Sequence, residues 1–222
     1  MRAAHLLIVS VLLLSGCASG PQRAAVERPE LAWRSHHLLL QQIDHWHLAG
    51  RIAATTNGQG WNARLLWEQE VGHYRVQLRG PLGQGAARLE GDDSGVVLVT
   101  DNGELHAATP EAVLYRQTGW QLPVSGLRYW ILGMPVPHSD HRRQLDRFGQ
   151  LATLEQDGWS IRFQRYHLSA DGLAIPDRLV LDNDEIEVRL VIDRWRLDSD
   201  LMPQPPSRPP LAPLSPRGSH VD

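Results

Sequence analysis

The chain contains no lysine: all 22 of its basic residues are arginine, set against 25 aspartates and glutamates. We read that choice as codon bias, and a net charge of −3 excludes bulk attraction of nucleic acid. Cysteine is nearly missing as well. Cys17 is the one cysteine in 222 residues, so no disulfide can close within the chain. There is no Gly-x-Ser-x-Gly elbow, no His-Glu-x-x-His pair and no P-loop, which removes common hydrolase, metalloprotease and nucleotide signatures.

What the N-terminus does have is a leader. Arg2 precedes the apolar run Leu6 to Leu14, which is too short to span a bilayer and ends in the small residues Ser15 and Gly16 before Cys17. Leu14-Ser-Gly-Cys17 matches the lipobox of bacterial lipoproteins, whose cysteine is acylated and becomes the first residue of the mature protein. N-acyl and S-diacylglycerol groups on Cys17 are therefore expected, with no other cofactor. An aspartate after the cysteine is associated with inner-membrane retention in such proteins; Ala18 stands there instead, which favours the outer membrane. The expected organisation is a signal peptide over 1–16, an acylated flexible tether over 17–29, one domain over 30–198 and a disordered tail over 199–222. Seven prolines from position 201 onward exclude a sheet in that tail.

Within the domain the dominant pattern is alternation. Trp61, Ala63, Leu65 and Trp67 point one way, as do Tyr74, Val76 and Leu78, then Ala87 and Leu89; three such runs predict an antiparallel meander. Gly80-Pro-Leu-Gly83 predicts a turn between the second and third, with Leu82 at its tip. Either Leu82 folds back on the sheet edge or it is an apolar finger for lipid or a partner. Upstream, Trp33, Leu40 and Ile43, with Leu39 or Trp46, predict an amphipathic helix from Glu30 to Trp46, before a first strand at Leu48. Asp101-Asn-Gly103 predicts a hairpin and Thr109-Pro110 a helix start. Ser125 is expected to cap a second, nearly all-apolar helix over Gly126 to Gly133, and Pro135 to Arg147 to form a loop. Four further strands complete the chain. The last changes parity after Ile192, so a bulge or bend is expected near Asp193.

The fold class that follows is mainly β: an open, incomplete antiparallel barrel of about ten or eleven strands, closed by helices. Apolar inward positions are Trp61, Leu65, Trp67, Val76, Leu78, Leu127, Trp130, Ile131, Phe163, Leu179, Val188 and Leu190. Each fits a packed core as well as a cavity wall.

Several motifs then carry a resemblance. Besides Leu14-Ser-Gly-Cys17, they are Trp46 with Gly50-Arg51, Trp67-Glu-Gln69, Tyr74-Arg-Val, Gly80-Pro-Leu-Gly83, Gly119-Trp-Gln-Leu-Pro-Val124, Leu127-Arg-Tyr-Trp-Ile-Leu-Gly-Met-Pro135, Gln156-Asp-Gly-Trp159 and Leu190-Val-Ile-Asp-Arg-Trp195. Together they resemble the LolB family of outer-membrane lipoprotein receptors, from the lipobox to about Leu197. The resemblance implies an apolar cavity that accepts acylated lipoproteins from a LolA-like periplasmic carrier and places them in the outer membrane. It also implies that Leu82, with Pro81 and Gly83, forms a membrane-inserting loop. A lipid-anchored monomer facing the periplasm is expected. Burying acyl chain is worth about 0.8 kcal/mol per CH₂, so one long chain represents on the order of 10 kcal/mol to shelter in transit.

Two other classes stay open at this point. The chain has eleven histidines, and His45 with His47, or His138 with Asp140 and His141, come nearest to ligand spacing for an enzyme, although no third partner is in register. His36 and His37 are expected on a polar helix face. A lipid-anchored scaffold with a filled core would share the anchor and the strands.

Overall fold

Alternate burial builds the sheet. From Trp46 in β1 (Trp46–Thr56) and from Ala63 in β2 (Gln59–Glu70), every second residue is buried. The computed structural model describes residues 23–56, 58–81 and 85–197. It continues with β3 (His73–Arg79), β4 (Ala86–Asp92), β5 (Gly95–Thr100), β6 (Gly103–Ala107), β7 (His141–Leu145), β8 (Leu151–Gln156), β9 (Trp159–Leu168), β10 (Ala174–Asp182) and β11 (Glu187–Leu197). All eleven form one antiparallel sheet in the order β6-β5-β4-β3-β2-β1-β11-β10-β9-β8-β7. Its edges, β6 and β7, do not pair, so the barrel is open.

Three helices accompany it among the described residues: α1 (Pro29–Leu40), α2 (Pro110–Thr118) and α3 (Val124–Trp130). The start of α2 follows the sequence signal. Thr109 Oγ1 accepts the Ala112 N–H at 3.2 Å, Pro110 opens the first turn, and Gly119 ends the helix at φ 75°.

Four expectations change. The first helix stops at Leu40, with Trp33 and Leu40 buried but Leu31, Leu38 and Leu39 exposed; Trp46 is already in β1, opposite Gln69 and Leu197. Past Leu40 the chain tightens into turns, Gln42 N–H donating to the Leu39 carbonyl at 3.2 Å and Ile43 N–H to the Leu40 carbonyl at 3.1 Å, before it enters the sheet. Ser125 does not cap α3, because Pro123 holds the cap position and Ser125 is bound by Glu111, N–H to Oε1 at 2.8 Å. The loop expected over 135–147 contains strand β7, whose sequence His-Arg-Arg-Gln-Leu lacks apolar alternation because it is an edge with little to bury. Part of the expected tether is docked: Val26 N–H reaches the Arg147 carbonyl at 2.9 Å, and the guanidiniums of Arg23 and Arg147 lie 4.9 and 4.8 Å from the Phe148 ring centre. The leader, Cys17 and the tail over 198–222 lie outside the described residues.

The parity change in β11 is a bulge. Ala49 pairs with Arg194 and Gly50 with Ile192, which leaves Asp193 unpaired and aims it at Arg51, 2.9 Å away. Only glycine fits opposite the bulge, since a Cβ on Gly50 would run into the Val191 carbonyl oxygen. Beyond it Trp195 turns onto Trp46, ring centres 5.5 Å apart.

Candidate functional site

A cavity of about 390 Å³ opens on the concave side of the sheet. Its strand wall comes from β1 to β5 through side chains such as Ile52, Ala63, Leu65, Trp67, Val76 and Leu89, and from Leu181 and Val188 across the centre of the sheet. Leu114 of α2, Trp120, Leu122 and Pro123 of the following connection, and Leu127 of α3 form the opposite wall. Polar lining is confined to Thr100, Asp101, Asn102, Gln117 and Thr118. Register places Gly80, Gly85, the 101–102 turn and Trp61 at one end of the strands, and all of these edge the cavity. Trp61, though 36% exposed, is therefore a wall residue at the rim.

Of the twelve inward positions read from the sequence, Trp61, Leu65, Trp67, Val76, Leu78, Leu127 and Val188 line the cavity. Trp130, Ile131, Phe163, Leu179 and Leu190 are buried but do not, and belong to packed core. Trp130 has a structural job: its Nε1–H donates to Gln156 Oε1 at 2.9 Å, the same oxygen accepts the Val136 N–H at 2.8 Å, and Gln156 Nε2 donates to the Val136 carbonyl at 3.0 Å. Gln156 thus ties α3 and the segment after it to β8. Alternation could place Gln156 inward but could not reveal its partners, which lie 20 and 26 residues away.

The sequence reading missed the floor and lid residues Ile52, Ala63, Leu98, Leu114, Trp120 and Leu122 as cavity lining. Ala63 and Ile52 carried the signal, being inward on β2 and β1. The α2–α3 connection carried none, since its apolar side chains have no period.

Two polar groups point inward from β2 and β3, Trp67 within the cavity lining and Tyr74 outside it. Trp67 is 2% exposed and its indole N–H has no partner among the described residues. Tyr74, opposite Gly91 on β4, fills the space a side chain would take there: a Cβ on Gly91 would overlap the phenol ring. Burial, with Glu111 nearby, pushes the Tyr74 hydroxyl up to about 12.

Pro81 lies at the start of the loop between β3 and β4, which is closed at its base by Gly80 N–H to the Gly85 carbonyl at 3.0 Å. Leu82 and Gly83 lie outside the described residues. His47 projects from β1 away from the cavity, His138 occupies a turn at φ 61°, and His36 and His37 are partly buried rather than on a free polar face. Among the described residues no three His, Cys, Asp or Glu side chains converge as metal ligands.

Residues 44–195 match the family model described as outer membrane lipoprotein LolB. The chain belongs to the LolB family. It is 40% identical over 200 residues to the outer-membrane lipoprotein LolB of Pseudomonas paraeruginosa, covering 88% of this chain and 97% of that one. To the LolB of Ectopseudomonas mendocina it is 41% identical over 196 residues, 86% and 96% of the two chains. Among solved structures, a putative outer membrane lipoprotein-sorting protein domain from Vibrio parahaemolyticus has a TM-score of 0.50 at 8% identity, over 78% of this chain and 93% of that one. At that identity the likeness concerns the fold alone: an open sheet packed against helices. For this LolB family member, the cavity is the feature with room for a guest.

Proposed function

We propose that the chain is an outer-membrane lipoprotein receptor. It is held on the membrane by acyl groups on Cys17, faces the periplasm, takes the acyl chains of client lipoproteins into its cavity from a LolA-like carrier, and releases them to the bilayer. One observation carries this reading: an apolar space of about 390 Å³ lined almost wholly by aliphatic and indole side chains. Apolar cavities of about 150 Å³ already stay dry and take up benzene, so a space of this size shelters a length of hydrocarbon. A scaffold with a filled core does not account for it.

Transfer in such a site runs downhill. The cavity offers the guest less than the bilayer does, because a wall that exposes Trp61 and a polar rim buries a chain incompletely. Leu82, flanked by Pro81 and Gly83, acts in this reading as the apolar tip that enters the membrane at the release step. Binding of a fluorescent fatty acid tests the cavity: saturable uptake with one site is expected, and no uptake would end the receptor reading. For the loop, Leu82→Glu is expected to fold and to bind the probe but to deliver lipoproteins poorly to vesicles; normal delivery would remove the finger.

A further inference from the structure

The convex face of the sheet carries a row of like charges. Register sets Arg51 opposite Arg64 across β1 and β2, and Arg64 opposite Arg79 across β2 and β3. On the other flank of β1, Arg189 faces Ala53. These four arginines rim one shallow depression floored by Ala53, Val191 and Pro81, and no acidic residue lines it. Like charges directly opposite one another weaken a sheet, so folding alone does not explain the row.

The rest of the same face is treated differently. Arg75 sits between Glu68 and Glu90 at 3.1 and 2.6 Å, and Arg162 reaches Asp182 at 2.6 Å. Inside the patch, Arg51 has Asp193 at 2.9 Å and Arg189 has Glu187 at 2.8 Å. Arg64 and Arg79, both exposed, have no acidic partner within 4.0 Å among the described residues. The position adds to this. Arg79 runs straight into Gly80 and Pro81, the start of the loop at the cavity rim, and the next outward residue after Arg64 on β2 is the exposed Leu66.

We propose that Arg51, Arg64, Arg79 and Arg189 form a docking surface for the anionic head groups of phospholipids, holding this corner of the sheet on the bilayer so that the cavity rim meets it. The layering fits a membrane interface. Guanidiniums pair with phosphates in a fork geometry, while Leu66, Val191 and Pro81 offer an apolar floor for the upper acyl region. An acidic protein would answer the charge, but a bilayer is the anion that a lipid-anchored chain meets continuously and at high local concentration. The inference rests on the membrane anchoring above and is independent of what the cavity holds.

The test uses the full acylated chain carrying Asn62→Cys, a rim position of the patch, labelled with an environment-sensitive dye. With Cys17 acylated, the introduced cysteine is the one free thiol. The protein is reconstituted in phosphatidylcholine vesicles with and without phosphatidylglycerol. A blue shift of the dye is expected only with phosphatidylglycerol, and is lost in about 1 M salt, where the screening length falls to about 3 Å. Arg64→Gln/Arg79→Gln abolishes the shift while keeping a melting temperature at or above that of the parent, because a repulsive pair is gone. Arg142→Gln, outside the patch, keeps the shift. The proposal is overturned by equal shifts in both vesicle types, by a shift that survives Arg64→Gln/Arg79→Gln, or by equal loss in Arg142→Gln. Fatty-acid uptake is expected to be unchanged in Arg64→Gln/Arg79→Gln, so failure of the patch and failure of the receptor reading give different results.

Discussion

Gln156 shows how one buried polar side chain can set the position of a helix. Its amide is matched on both atoms, and its removal orphans the Trp130 indole N–H and the Val136 N–H in a buried place. Gln156→Ala is therefore expected to cost about 2 kcal/mol, read from the midpoint of denaturant unfolding at unchanged slope. Tyr74 is the opposite case, a buried hydroxyl without a partner among the described residues. Its folded value of about 12 lies above the ordinary 10, so the neutral phenol favours the fold below pH 10 and that contribution is lost as pH rises from 10 to about 12. Tyr74→Phe keeps the ring against Gly91 and is expected to be neutral or stabilising near neutral pH and to flatten part of the alkaline decline. An unchanged alkaline profile would show that the phenol is not responsible. Neither side chain announced itself in the sequence: a glutamine and a tyrosine at inward strand positions fit the alternation, but their partners come from other strands and helices.

At the scale of elements, α1 is the least self-evident attachment. It is held by the buried Trp33, whose ring the Arg143 guanidinium covers at 5.5 Å, and by Glu30 paired with Arg143 at 2.8 Å. Burial lowers the affinity of His36 and His37 for a proton; Arg23 and the neighbouring His37 add to this for His36, as do Arg143 and His141 for His37. Both imidazoles therefore favour the docked helix when neutral. Their contribution is present above the ordinary value of about 6.5 and is lost as pH falls through the lowered folded values. Lower protection in 29–40 at about pH 5 than at about pH 7.5, each exchange rate being taken relative to the intrinsic rate at its own pH, with protection of the sheet unchanged, is the expected result. Protection of 29–40 that is the same at both pH values would remove the histidines from the account. The strands were far more legible than the helices, because period two survives in any sheet with one buried face. Trp46 shows the limit: it fits a helical series from Trp33 as well as a strand series to Leu48, and only its pairing with Gln69 and Leu197 separates the two.

For the whole molecule the decisive quantity is empty volume. Ala63 is a small residue on the cavity wall, so Ala63→Phe puts a ring into open space rather than into packed neighbours. It is expected to keep the melting temperature within a few degrees and to cut fatty-acid uptake severalfold, measured by probe titration. In contrast, Leu179→Ala, in packed core, is expected to lower stability by about 2–5 kcal/mol. If Ala63→Phe instead unfolds the protein, the cavity is not the open space described. The start of α1 and the rim lie at opposite ends of the strands. Pro29, at the start of α1, packs at the β7–β8 turn, and the register puts that turn at the end of the strands opposite the 80–85 loop.

Pattern along the chain was enough to define a mainly antiparallel protein and to single out Cys17 as the proposed anchor, because period-two burial, leader composition and lipobox are local properties. It located the Asp193 bulge too, since a parity change is visible in one dimension. Whether inward residues meet one another or leave a gap depends on how far the helices stand from the sheet, a distance between segments remote in sequence. That separation put Leu127 on a cavity wall and its near neighbours Trp130 and Ile131 in solid packing. It also brought Arg51, Arg64 and Arg79 into one row, which no single strand contains.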